Sequence, residues 1–240
     1  MKKQYSEFAK YYDLVYHFKD YKKEAETIKK LIKKYKKSKG KKLLEAACGT
    51  GNYAEFLKND FTYFGTDASE SMLKIARNKF PKLKFMKDDM TNMKVKGEFD
   101  VILCLFSSIG YVKTEEKLEK TIRSFSEHLK EGGVVIIEAW FEKSNYKSGN
   151  VHLSNYESEE IKVSRATYCT IKGGNSVLDM HWLVAQKNKG IDYFSEKHEM
   201  GFFSGKLFET LMRKHDLEIF SEKGLMNSQR KLYIGVKKNS

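Results

Sequence analysis

Apolar positions along the chain follow two textures, and the change falls near residue 150. Over residues 20–37, Ala25, Ile28, Leu31, Ile32 and Tyr35 recur at intervals of three and four, which predicts a helix with one buried face and Gly40 as its terminator. The aromatic-rich segment before it, YSEFAKYYDLVYH at 5–17, predicts a helix or a pair of turns. From residue 42 short apolar runs alternate with helical periodicity. This predicts strands at 42–47, 62–66, 83–86, 99–105 and 134–139, with helices at 52–58, 69–79 and 114–129. Thr114 stands where an N-cap belongs, with Glu115 and Glu116 in the first turn, and Gly132–Gly133 is expected to turn into the fifth strand. The runs VILCLF and VVIIEAW are apolar almost without interruption, as strands of a parallel sheet covered by helices on both faces must be.

Beyond residue 150 the period becomes two. EIKVSRATYCTI, SVLDMHWLVAQ and IDYFSEKHEMGFF alternate over long stretches and are parted by KGGN and KNKG, so they predict an antiparallel meander with VHLSNYE beside it. A helix at 204–214 and strands at 217–221 and 231–236 return the chain to the first sheet. The expected architecture is α/β: one domain over 1–240, with helices on both faces of its sheet, a helical N-terminal lid at 1–37 and an antiparallel β insertion at 145–202.

Charge and cysteine content narrow the function classes. The net charge of +13 suggests an anionic partner, yet only five of the 45 basic residues are arginine, the side chain that reads phosphate and guanine bidentately. The densest run, KKYKKSKGKK at 33–42, lies at a helix end, where cations complement the dipole. Nucleic acid is therefore not the expected partner. No apolar run has the roughly 20 residues of a membrane-spanning helix. Cys48 and Cys104 lie in strand-like runs, and with Cys169 they make an odd number, which fits free buried thiols and a cytoplasmic protein.

The chemistry is concentrated in LLEAACGTGNYAEFL at 43–57. Gly49 and Gly51 allow the backbone to approach a ligand, and Asp67, ending the second strand, can accept hydrogen bonds from a ribose diol. That pattern fits NAD as well as other adenosine cofactors. Glu45 shifts the balance, because a carboxylate four residues before Gly49 would repel a pyrophosphate and would tolerate an ammonium group. Asp89 and Met90, in KFMKDDM, are placed for an adenine amino group and ring, and the fourth strand ends in LFSSIGY without a catalytic acid or lysine. Together these residues fit S-adenosylmethionine (SAM).

Glu45-x-x-x-Gly49-x-Gly51, GTDASESML, DDM and FDVILCLFSS resemble, in order and spacing, the motifs of class I SAM-dependent methyltransferases with their Rossmann-like sheet. YDLVY, KDY, LFSSIGYVKT, FSEHL, GGVVIIEAW and FSEKHEMGFF extend the resemblance toward N,N-dimethyltransferases acting on dTDP-linked 3-amino sugars, of the desosamine and mycaminose type. The chain departs from that pattern at Glu138-Ala-Trp140-Phe, where the family has EPWW, at SQRKLY, where it has an SGRGLF-like ending, and at Asp67, where it has glutamate. The resemblance implies cofactor contacts at Tyr12, Tyr21, Ala47, Gly49, Gly51, Asp67, Ala68, Met72, Asp89, Met90, Leu105, Phe106 and Ser107. It implies substrate contacts at Ser108, Trp140 and Arg230, with Arg230 as a diphosphate clamp. Tyr5 and Tyr111 are the expected catalytic residues; a phenol with an ordinary pKa near ~10 is a poor base at neutral pH, so they are expected to orient the amine. Lys19 could pair with the carboxylate of the cofactor, but solvent is the expected surrounding of a lysine in so lysine-rich a chain. No metal site is expected, and a homodimer through exposed strand edges is. RNA methylation, a noncatalytic SAM-binding protein and an NAD-dependent oxidoreductase are the competing readings.

Overall fold

The computed structural model describes residues 8–226 and 229–239. Five parallel strands build the centre of a seven-stranded sheet: β1 (Lys42–Ala46), β2 (Thr62–Asp67), β3 (Lys84–Lys87), β4 (Phe99–Cys104) and β5 (Leu129–Glu138). The last two, β10 (Leu217–Lys223) and β11 (Lys231–Lys237), extend it with β11 antiparallel to β5 and β10 antiparallel to β11. The order is β3-β2-β1-β4-β5-β11-β10. The order reverses between β1 and β4, and in an open α/β sheet the carboxyl ends of the strands at such a switch point frame the ligand crevice.

Successive residues of each strand feed opposite faces. On one face Leu44, Ile102, Val135 and Ile137 pack with Leu118, Ile122 and Phe125 of α5 (Glu115–Glu127) and Phe208, Leu211 and Met212 of α6 (Gly205–Lys214). On the other, Leu43, Val101, Leu103, Val134 and Ile136 meet Ala25, Ile28, Leu31 and Ile32 of α2 (Tyr21–Tyr35) and Leu57 of α3 (Ala54–Leu57). The helix starts follow their sequence signals: Thr114 Oγ1 accepts from the Lys117 N–H at 3.3 Å and caps α5, and Ser69 caps α4 (Glu70–Lys79).

Two elements differ from expectation. The fifth strand begins at Leu129, five residues early, because Gly132–Gly133 forms a bulge within it: Phe99 pairs with Leu129 but Val101 already pairs with Val134, and Gly132 takes φ +68°. The helix expected at 52–58 is the single turn α3, since residues 51–53 are used by the glycine loop and the Asn52 side chain is held by Asp13. The described part of the N-terminal aromatic stretch takes the second of its two expected forms, a pair of turns: a 3₁₀ turn, Phe8–Lys10, and one α-turn, α1 (Tyr12–Val15).

The second texture is a separate antiparallel sheet of four strands, β6 (Val151–Glu157), β7 (Ile161–Lys172), β8 (Asn175–Gln186) and β9 (Gly190–Met200), in sequence order. Its inner face, Val163, Met180, Trp182 and Val184, clusters with Ala9 and Val15 of the N-terminal segment and Met72 of α4. Trp182 is wholly buried, stacked on Phe194 at 5.5 Å. A Trp182→Ala substitution is therefore expected to lower the unfolding free energy by roughly 3–5 kcal/mol, measured as a fall in denaturation midpoint; an unchanged midpoint would mean that this contact is not part of the folded core.

Candidate active site

The crevice at the switch point is lined by Tyr12, Tyr21, Glu45, Ala47, Cys48, Gly49, Thr50, Asn52, Tyr53, Leu105, Phe106 and Ser108. Its walls are the carboxyl ends of β1 and β4, and its roof is the N-terminal segment. Backbone strain is concentrated here, with Ala47, Phe106 and Ser107 at φ of +56°, +52° and +60°. Gly49, at φ +56°, has nothing within 4 Å of where a Cβ would sit, so the loop leaves space on the crevice side. Gly51 has a different role: a Cβ there would meet the Phe85 ring at 3.3 Å, so this glycine serves close packing of the loop on the sheet.

Glu45 is buried, with the Tyr63 hydroxyl donating to its Oε2 at 2.5 Å. Burial pushes its carboxyl from the usual 4.5 to about 8, against the Tyr63 hydrogen bond, which pulls it down. Asp67 accepts from the Gly49 N–H and the Ser69 N–H, each at 2.8 Å. Burial raises its pKa, and those backbone N–H groups oppose the rise. Asp67 thus ties the glycine loop to the start of α4 and holds both in place around the crevice.

Asp13, which sequence reasoning passed over, anchors the roof. Its carboxylate accepts from Thr50 Oγ1 at 2.6 Å, from Asn52 Nδ2 at 2.9 Å and from Lys79 Nζ at 3.0 Å. Lys19, expected in solvent, is buried: Nζ pairs with Glu24, lies 3.0 Å from the Tyr53 hydroxyl, and sits over the rings of Tyr21 and Phe106 at 4.7 and 4.9 Å. The reason is local. The turn before α2 directs residue 19 inward, and Glu24, one helical turn into α2, neutralises it. Burial lowers its pKa.

On the far side of Phe106 a second polar group is built on Glu138, fully buried at the end of β5. Its Oε2 accepts from the Phe106 N–H at 2.8 Å, and its Oε1 has no hydrogen-bond partner among the described residues. Burial raises its pKa, and the positive charges of Arg230 and Lys19 hold the rise down. Arg230 donates from Nη1 to Ser107 Oγ at 3.2 Å and lies 4.8 Å above the rings of both Trp140 and Phe141. Ser107 in turn donates to the Ala139 carbonyl at 2.9 Å, and Trp140 Nε1 donates to Ser176 at 2.9 Å. Arg230 Nε is buried without a hydrogen-bond partner among the described residues.

Of the other expected contacts, Leu105 is buried and Ser108 lines the crevice itself. Met72 is buried with the second-sheet cluster, and Ala68 is exposed at the entry to α4. Asp89 is exposed after β3, its Oδ1 accepting from Thr91 Oγ1 at 2.8 Å, and Met90 packs against the main core. Tyr111, in the 3₁₀ turn Ser108–Val112, is hydrogen-bonded through its hydroxyl to His198 Nδ1 at 2.6 Å. Tyr5 lies outside the described residues. All three cysteines are free and buried, and burial raises the pKa of Cys48 and Cys104. Among the described residues no group of three or more His, Cys, Asp or Glu side chains is placed to hold a metal ion, and no helix is long and apolar enough to cross a membrane.

The crevice sits inside a recognisable sequence block, since residues 43–133 match the family described as a methyltransferase domain. The chain is 32% identical to dTDP-3-amino-3,4,6-trideoxy-alpha-D-glucopyranose N,N-dimethyltransferase of Streptomyces venezuelae, over 95% of this chain and 97% of that one. It is also 32% identical to dTDP-3-amino-3,6-dideoxy-alpha-D-glucopyranose N,N-dimethyltransferase of Streptomyces fradiae, over 85% and 80% of the two chains. The crystal structure of Streptomyces venezuelae DesVI superposes with a TM-score of 0.89 at 31% identity, covering 96% of this chain and 98% of that one. These likenesses run the length of the fold, including the second sheet and the segment over the crevice. The chain belongs to the class I SAM-dependent methyltransferases, in the family that includes the dTDP-amino-sugar N,N-dimethyltransferases.

Proposed function

We propose that this methyltransferase methylates the amino group of a nucleotide-linked amino sugar. The observation that carries the reading is Arg230, a partly buried guanidinium whose Nε has no hydrogen-bond partner among the described residues, stacked on two aromatic rings beside the strained Phe106–Ser107 turn. A planar, permanently charged fork in that setting suits a diphosphate, and Trp140 and Phe141 offer a flat apolar surface next to it. The names of the two curated relatives supply the same substrate class.

The residues of the crevice fit SAM. Glu45, in the crevice lining, offers its carboxyl group to an ammonium group, and Asp67, which ends β2 and holds the glycine loop, is the residue proposed for the ribose. Asp89 and Met90, which follow β3 outside the crevice lining, are the residues proposed for the adenine, and Gly49 leaves room for close backbone approach. When bound, the cofactor supplies an electrophilic methyl group on a sulfonium. The chain contributes position and a dry environment: Tyr12, Tyr21, Leu105 and Phe106 wall the crevice, and the Asp13 contacts keep the N-terminal segment over it as a lid. Ser108 and Tyr111 orient the acceptor at the mouth.

The outer face of the second sheet supports a homodimer. Val151, Leu153, Tyr168, Leu183, Ile191 and Tyr193 are exposed there on four adjacent strands, an apolar patch of the kind that marks an interface. A two-fold pairing of this patch with its copy buries it without other elements. Three buried reduced thiols agree with a cytoplasmic setting.

Incubation with SAM and the dTDP-3-amino-3,4,6-trideoxyglucose named for the Streptomyces venezuelae relative is expected to give methylated product by mass spectrometry. Arg230→Ala is expected to raise KM for the sugar nucleotide by about 10–100-fold while S-adenosylhomocysteine (SAH) affinity stays within about twofold. No turnover of any dTDP-amino sugar would overturn the acceptor assignment. For Glu45 the folded pKa lies above the unfolded one, so its contribution to stability is greatest below about 4.5 and is lost as pH rises toward about 8. Urea titrations across that window should show a decline in ligand-free stability that Glu45→Gln flattens, and the same variant should weaken SAH binding by calorimetry. Light scattering should give a dimer mass that Leu153→Lys combined with Leu183→Lys reduces to a monomer; a monomeric parent protein would contradict the interface.

A further inference from the structure

His198 lies on the inner face of β9 with 2% of its surface exposed, beside apolar side chains of β8. Leu178 stands opposite it on β8, and Met180 stands opposite Glu196. Residues 196 and 198 share one face because successive strand residues alternate, so the carboxylate and the imidazole are neighbours by register. His198 Nδ1 is 2.6 Å from the Tyr111 hydroxyl, and Nε2 is 3.2 Å from Glu196 Oε2 on the opposite side of the ring, within ion-pairing distance but without hydrogen-bond geometry. The Glu196 carboxylate is itself only 9% exposed. Tyr111 belongs to the 3₁₀ turn Ser108–Val112, whose first residue, Ser108, lines the crevice. Phenol, imidazole and carboxylate thus form a line from the crevice into the second sheet.

We propose that His198, oriented by Glu196, is the proton acceptor for the methyl-accepting amine and is reached through Tyr111. The inference rests on the amine-acceptor reading above. An amino sugar arrives as an ammonium ion and cannot attack until it loses a proton. The ammonium N–H bond breaks toward Tyr111 Oη, the phenolic proton passes to His198 Nδ1, and the nitrogen keeps its electron pair for the methyl carbon. Tyr111 ends neutral, as it began, and the positive charge moves from the amine to the imidazolium, where the Glu196 carboxylate compensates it. This removes the difficulty that a phenol alone is a poor base near neutral pH: Tyr111 conducts the proton and His198 stores it. In this account Nδ1 accepts from the Tyr111 hydroxyl, so the neutral ring carries its proton on Nε2, the nitrogen nearer the Glu196 carboxylate.

The surroundings allow that charge change. The inner-face neighbours on β8 are apolar, and the next cation on this face, Arg165 of β7, is engaged by the Tyr16 hydroxyl at 3.0 Å and by Ser154 at 3.1 Å. Lys113 with Glu199, and Lys197 with Asp179, pair on the opposite face. Glu196 is therefore the acidic group that faces the imidazole, and Tyr111 and Tyr12 are the titratable groups on the crevice side. Tyr111 contacts the substrate in this account, and His198 and Glu196 act through it as positioning and proton-storing residues.

The test is a pH–rate profile with SAM and dTDP-3-amino-3,4,6-trideoxyglucose for the parent protein and the Tyr111→Phe, His198→Gln and Glu196→Gln variants. His198→Gln should lower kcat on the order of 10²-fold near neutral pH, keep KM and SAH affinity within about threefold, and recover as pH rises, because solvent then deprotonates the amine. Glu196→Gln should lower kcat by less than His198→Gln does while KM stays within about threefold, the split expected of a positioning residue. Tyr111→Phe combined with His198→Gln should be no slower than the slower single variant. Equal losses at every pH, or unchanged rates in His198→Gln, would overturn the relay. A readout independent of the acceptor is the ¹⁵N spectrum of His198 in the SAH complex, where the Nε2–H tautomer is expected and an Nδ1–H tautomer contradicts the proposal. If the parent protein turns over no amino sugar, the acceptor assignment fails, and the tautomer measurement still decides whether His198 can accept the proton.

Discussion

Glu138 ends the fifth strand with none of its surface exposed, and a carboxylate in that position costs several kcal/mol unless its environment compensates. The compensation organises one side of the crevice. One oxygen takes the Phe106 N–H, which fixes the turn after β4 in its left-handed conformation. The next residue of that turn, Ser107, holds Arg230, whose charge lowers the cost of burying Glu138, and Arg230 lies on Trp140 and Phe141. Three strand ends, β4, β5 and the approach to β11, are thereby joined by one electrostatic interaction. The proposed anion site is the same group seen from the solvent side.

The other side of the crevice depends on a similar arrangement. Asp13 holds the glycine loop and Lys79, and Lys19 with Glu24 and Tyr53 is buried under the start of α2. The N-terminal segment is thus fastened by buried charge at two points and by apolar contacts of Ala9 and Val15 with the second sheet. Closure over the crevice follows from contacts spread over three parts of the chain. The second sheet both supports this segment from behind and carries His198 and Glu196 toward Tyr111.

The sheet, its order of elements and the glycine loop were legible in the sequence because each rests on local signals: uninterrupted apolar runs, caps such as Thr114, and Gly49 and Gly51 before a helix. Glu45 and Asp67 were legible for the same reason, being fixed by position on a strand. The Gly132–Gly133 bulge was not, since a glycine pair is as compatible with a bulge as with a turn, and the pairing partner decides. Asp13 and His198 were missed because their partners are distant in sequence, and Lys19 because one lysine among forty carries no mark of burial although Glu24 lies only five residues on. For His198 and Glu196 a signal was present: in FSEKHEM they occupy the phase that, over Leu178–Val184 of the neighbouring β8, is apolar. A polar residue in an apolar phase marks either a buried network or a site, and here it marks a buried network that reaches a site.

A structure determined with SAH and a dTDP-linked amino sugar tests the central claim most directly. The account predicts the homocysteine ammonium against Glu45, the diphosphate on Arg230 over Trp140 and Phe141, and the sugar nitrogen within hydrogen-bonding distance of the Tyr111 hydroxyl. A nucleotide bound elsewhere, with Arg230 unchanged beside Ser107, would contradict it.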